Sequence, residues 1–174
     1  METESTNGHG PKSGRMSNEL IKALIDNYRQ NHLNAINETL GINDAHSIWF
    51  DLPKLKKFIA MIEEEAGKNN PDLSEEDLGI RFYYAAYPKE ENWHIMSSHP
   101  IAKEYAERHT LVMIPTVKRT DEKGETHHYD FNYSESNSSI NLALSARRAP
   151  EDDGVMGENN GQLIPPSNSK VEFF

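Results

Sequence analysis

At 174 residues the chain has room for one hydrophobic core with tails, and is too short for two full-sized domains. A formal charge of -10 at pH 7 repels phosphate backbones and anionic lipid, which argues against nucleic-acid and membrane partners. The absence of cysteine excludes disulfides, Cys-ligated zinc, iron–sulfur clusters and thiol nucleophiles. No run approaches the roughly 20 apolar residues that cross a bilayer. The first fourteen residues lack the basic and apolar regions of a signal peptide, so a cytoplasmic location is expected.

In chain order, residues 1–16 are Gly, Ser, Thr, Asn and His with few apolar groups, and a disordered tail is expected there. Leu20, Ile21, Leu24, Ile25 and Tyr28 then recur at helical spacing, with Ile36 and Leu40 continuing beyond a weaker middle until Gly41 stops the helix. A short strand is predicted at 46–50. Asp51 follows as an N-cap with Pro53 in the first turn, and Leu55, Phe58, Ile59, Ile62 and Ala66 form one face of a helix that Gly67 is expected to close. Ser74 and Asp77 form a variant capping box for one short turn. Residues 80–87 alternate as a strand, with Ile80, Phe82, Tyr84 and Ala86 opposite Arg81, Tyr83, Ala85 and Tyr87. The continuous apolar run at 111–114 predicts a central strand over 110–117, joined through a charged turn with Gly124 to a strand at 127–133. A short helix is predicted at 140–146. From Pro150 the chain is rich in Gly, Asn, Asp and Pro and reads as an irregular, partly docked segment anchored by Leu163 and Ile164. The sum is an α+β fold: a mostly antiparallel sheet of about four strands packed by two main helices, as one domain over 17–149 followed by the 150–174 segment.

Several blocks together carry a family likeness: Asp44-Ala45-His46-Ser47-Ile48-Trp49-Phe50, Leu78-Gly79-Ile80-Arg81-Phe82-Tyr83 with Ala86-Tyr87-Pro88, Thr110-Leu111-Val112 with Pro115-Thr116, and Asn160-Gly161-Gln162-Leu163-Ile164-Pro165-Pro166. In this order they resemble a family of small, uncharacterised bacterial proteins, over roughly residues 17–166. The resemblance implies a bacterial, cytoplasmic protein. It implies no reaction, ligand or catalytic residue.

The chemistry available rests on histidines and carboxylates. On a strand His128 and Asp130 project from the same face, beginning a metal site or acid–base pair that His94, His99 or His109 completes from the neighbouring segment. There is no His-Glu-x-x-His, no EF-hand spacing, no Gly-x-Ser-x-Gly and no phosphate-cradling glycine loop, so no cofactor is expected. The helix after Asp51 opens on Lys54, Lys56 and Lys57 and ends on Glu63, Glu64 and Glu65, against its macrodipole at both ends and without i,i+4 pairs among these groups. That basic start beside Trp49 is a candidate surface for an acidic partner. Arg81, Tyr83 and Tyr87 share a strand face that is either core beneath a helix or a contact surface. The leading expectation is therefore a non-enzymatic interaction module, contacting another protein or a second copy through Trp49, Lys54, Lys56, Lys57, Arg81, Tyr83 and Tyr87. The alternative is a metal-dependent hydrolase using His128 and Asp130. A small-ligand sensor forms a third class, since aromatic faces hold ligands.

Overall fold

The computed structural model describes residues 14–130 and 157–166. The predicted helix at 140–146, the strand residues 131–133 and most of the N-terminal tail lie outside them. The fold is α+β, with three α-helices and five strands in two antiparallel sheets among the described residues. No helix among the described residues is long and apolar enough to cross a membrane.

The chain divides into two compact units, a first ending at Ile42 and a second running from Asn43 to Ser169. In the first, Ser17 caps α1 (Asn18–Asn27) by accepting from the Leu20 amide, and Gly41 ends α2 (Asn34–Leu40) with φ of 67°. The weaker middle of the apolar pattern is a π-helical turn, Tyr28–Leu33. One extra residue in that turn rotates the following helix, and Leu33, five residues after Tyr28 and three before Ile36, is its buried side chain. Tyr28 and His32 stack across the turn, their ring centroids 6.0 Å apart.

The second unit opens on β1 (Ser47–Trp49) and α3 (Leu52–Asn69). The Asp51 carboxylate accepts from the Lys54 amide at 2.8 Å, a cap worth about 0.5–2 kcal/mol. Gly67 does not close the helix: it keeps an ordinary backbone conformation, and α3 continues to Asn69. That extra half-turn brings Lys68 within 2.8 Å of Glu64 and 2.7 Å of Glu65. The acidic end is thus partnered and not left opposing the macrodipole, and the Lys68 ammonium, bonded to Glu64, holds the Glu64 carboxyl below its usual range. The 74–77 capping box is present as expected.

Three strands follow: β2 (Leu78–Ala86), β3 (His109–Thr120) and β4 (Thr126–Asp130), in the order β2-β3-β4 with β3 central. The last, β5 (Gln162–Ile164), pairs antiparallel with β1, so the expected single sheet of about four strands is instead a three-stranded and a two-stranded sheet. The reason lies in the returning C-terminal segment. Glu158 exchanges backbone hydrogen bonds with Met113 on β3, at 2.9 and 3.1 Å, before β5 joins β1. Backbone groups of both sheets are thereby satisfied by a segment that hydropathy alone marks as loop.

Two core clusters result. Phe58 and Ile62 of α3 pack with Met113 of β3, flanked by Phe50, Leu55, Leu78 and Ile80. Ala45, Tyr87 and Leu163 form the other, flanked by Ile48, Trp93, Met96, Ile101 and Tyr105. The helical side of the first cluster comes from α3.

Candidate functional site

The β3–β4 turn gathers Asp121, Glu125 and His127, whose ligand atoms all lie within 4.8 Å of one another. Turn chemistry sets this up. Asp121 Oδ1 accepts from the Lys123 and Glu125 amides, both at 2.9 Å, and Gly124 supplies the left-handed residue with φ of 81°. With Oδ1 committed to the backbone, Asp121 Oδ2 is the oxygen that faces His127 Nε2, at 3.8 Å, and Glu125 Oε2 stands 3.6 Å from the same nitrogen. The His127 ring lies edge-on to Tyr129, centroids 6.0 Å apart. Around an ion with bonds of about 2.0–2.2 Å, neighbouring donors stand roughly 3–3.5 Å apart, so a small closure of these side chains completes one face of a coordination shell. All three are solvent-accessible, leaving room for water as further ligands.

A second pairing joins Asp44 to His109. Asp44 is fully buried, and its Oδ1 accepts from the Ala45 and His109 amides at 2.8 and 2.7 Å while Oδ2 accepts from His109 Nδ1. With Nδ1 as the donor, the lone pair of a neutral His109 ring sits on Nε2, and the imidazole is partly exposed. Two residues before it, Glu107 adopts φ of 62°, a backbone value that costs a non-glycine residue about 1–3 kcal/mol, and its N–H donates a hydrogen bond to the Pro88 carbonyl at 3.3 Å. The Arg108 guanidinium also donates to the Asn43 carbonyl, so the start of β3 and the Asn43–Ala45 loop are tied at several points.

A third group lies across the three-stranded sheet. Arg81 donates to Asp130 and to the His128 carbonyl, and the Tyr83 hydroxyl donates to the other Asp130 oxygen. Asp130 is opposite Thr116, which is in turn opposite Gly79. A Cβ at Gly79 would stand 2.8 Å from Thr116 Oγ1, and the long Arg81 side chain reaches from β2 across the central β3 to its partner on β4.

Comparison with protein-family models, with curated proteins and with solved structures gives no match. The chemistry has to be argued from these side chains alone.

The ligands read from the sequence are distributed over different groups. Asp130 is engaged by Arg81 and Tyr83, His109 by Asp44, and His99 by the Ser98 hydroxyl at 3.1 Å, while His94 is exposed in the 3-10 segment Glu90–Met96. His128, on β4, is exposed and contributes its carbonyl. Among the described residues the group with metal-ligand geometry is therefore Asp121, Glu125 and His127 in place of His128 and Asp130. The alternation of β4 placed His127 opposite the His128–Asp130 face, but the Asp121 turn that curls two carboxylates toward it has no signature in hydropathy. The signal available was the Asp-x-x-Gly-Glu-x-His spacing across a hairpin loop.

The proposed contact residues also separate. Tyr87 is buried, its ring 6.2 Å from that of Trp93 and 5.9 Å from that of Tyr105, and burial pushes its hydroxyl pKa up. Tyr83 and Arg81 are bound to Asp130, and Lys56 and Lys57 are exposed on α3. Trp49 and Lys54 line a cleft of about 530 Å3 together with His99.

Proposed function

We propose that this protein binds a divalent transition-metal ion at the β3–β4 turn through Asp121, Glu125 and His127. The observation that carries this reading is the convergence of two carboxylates and one imidazole within 4.8 Å, on a turn whose backbone already orients one of the carboxylates. The donor set is borderline to hard and suits zinc, manganese or iron better than calcium, which prefers an all-oxygen shell. Three protein ligands would leave positions for water, and a bound ion would supply Lewis-acid polarisation of that water or of a substrate oxygen. The activity that follows is metal-dependent hydrolysis, with the ligand set moved from His128 and Asp130 to the turn.

The test is calorimetric titration of the full chain with zinc or manganese, alongside hydrolysis of p-nitrophenyl acetate and bis-p-nitrophenyl phosphate with and without the ion. One ion per chain is expected, with affinity reduced at least about tenfold in His127→Ala. Binding that is absent, or unaffected by His127→Ala, overturns the site. Binding without ion-dependent turnover overturns the hydrolase and keeps the metal.

A protein-contact reading has its own support. Strand β2 pairs with β3 alone among the described residues, and it exposes Phe82 and Tyr84, the latter 91% accessible. A long edge with outward aromatics favours strand-to-strand association. We propose a second copy of the chain as the partner. Tyr84→Ser together with Phe82→Ser is expected to weaken self-association at least about tenfold in sedimentation velocity. A monomer in the unsubstituted protein at hundred-micromolar concentration overturns this reading.

A further inference from the structure

The cleft beside Trp49 is built from segments far apart in the chain. Trp49 and Asp51 flank the start of α3, Lys54 lies one turn in, His99 comes from the connection before β3, and Asn160 and Gln162 come from the returning C-terminal segment. Its volume, about 530 Å3, falls within the roughly 300–1,000 Å3 of small-molecule sites. The wall at residue 161 has to be glycine: a Cβ there would meet Phe50 at 2.7 Å and run into Ile48. This lets the segment approach Ile48 and Phe50 closely while Gln162 pairs with Trp49 and the Asn160 carbonyl accepts from Lys54.

The chemical character of the lining selects a ligand class. Lys54 donates to the Asn160 carbonyl at 3.0 Å and stands 4.0 Å from Asp51 Oδ2, so the one ammonium and the one carboxylate offset each other and neither is left as an uncompensated charge. An ionic ligand gains no net Coulombic attraction from such a wall. The remaining polar groups are the side-chain amides of Asn160 and Gln162, the Ser98 hydroxyl and the His99 imidazole, groups that both donate and accept. Trp49, 56% exposed, lines the same cleft. An aromatic face beside a ring of mixed donors and acceptors with no net charge matches a molecule having an apolar C–H face and a periphery of hydroxyls.

We propose that this cleft is a binding site for a neutral saccharide, with a sugar ring stacked on Trp49 and its hydroxyls bonded to Asp51, Lys54, Asn160 and Gln162. It uses none of the metal ligands of the β3–β4 turn, so the two sites stand or fall separately.

The test is saturation-transfer NMR on the full chain with a panel of neutral pentoses, hexoses, N-acetylhexosamines and their linked dimers, and with benzoate as an anionic aromatic probe. Transfer to ring protons of at least one saccharide is expected, lost or weakened at least about tenfold in Trp49→Ala and unchanged in Leu24→Ala, an exposed position on α1 that does not line the cleft. Trp49 is largely outside the core, so its replacement leaves the fold intact, checked by an unchanged circular dichroism spectrum. No transfer to any saccharide, or transfer that survives Trp49→Ala, overturns the proposal. Benzoate binding that depends on Lys54, lost in Lys54→Gln, with no saccharide binding, assigns the cleft to aromatic anions instead.

Discussion

Replacing Asp44 with alanine is expected to lower the unfolding free energy of the second unit by about 3–5 kcal/mol. The carboxylate is fully buried and accepts from donors that include the Ala45 amide, the His109 amide and His109 Nδ1. Removing it leaves the Ala45 and His109 amides without their acceptor, and an unsatisfied buried donor costs about 1–3 kcal/mol. Asp44→Asn retains one oxygen for the two amides and loses less, about 1–2 kcal/mol by the same reasoning. The measurement is urea denaturation followed by tryptophan fluorescence, for which the chain is suited because both tryptophans, Trp49 and Trp93, lie in the second unit. A loss below about 1 kcal/mol for the alanine variant would show that the loop is held by other contacts.

Leu163→Ala is expected to cost about 2–5 kcal/mol in the same measurement. Leu163 has no exposed surface, sits opposite Ile48 in the β1–β5 pairing and packs with Ala45 and Tyr87. Its amide also donates to the Tyr105 hydroxyl at 3.4 Å. Truncation removes three buried carbons and opens a cavity between the small sheet and the 3-10 segments that carry Trp93 and Tyr105, where strand pairing on one side limits collapse. An exposed Leu163 on a surface-wrapping segment would cost no more than about 0.5 kcal/mol on truncation, so the two arrangements give clearly different midpoints.

The two variants probe different sources of order. Asp44 fixes a polar junction between a loop and the start of β3, where direction matters. Leu163 fills a core, where volume matters. The pairing of Asp44 with His109 was not legible in the sequence, since the two are 65 residues apart and His109 read as one of several histidines in a polar stretch. The anchoring role of Leu163 was legible, because an apolar pair at 163–164 inside a Gly, Asn and Pro-rich segment has few reasons to exist apart from burial.

Local rules that act within one turn were decided by the chain itself. Asp51 as cap, Gly41 as stop and the Ser74–Asp77 box depend on neighbours a few residues away, and the structure has all three, whereas burial along β2 does not follow the expected alternation. The continuous run Leu111–Ile114 likewise required cover on both faces and so a central strand. What only the tertiary structure decided were associations over long separations: that β5 joins β1 instead of extending one sheet, that Arg81 and Tyr83 take Asp130 away from His128, and that a turn folds two carboxylates onto His127. Periodicity reports which face of an element is apolar and carries no information about which distant side chain will meet it. That is set by register, turn conformation and the space left between packed elements.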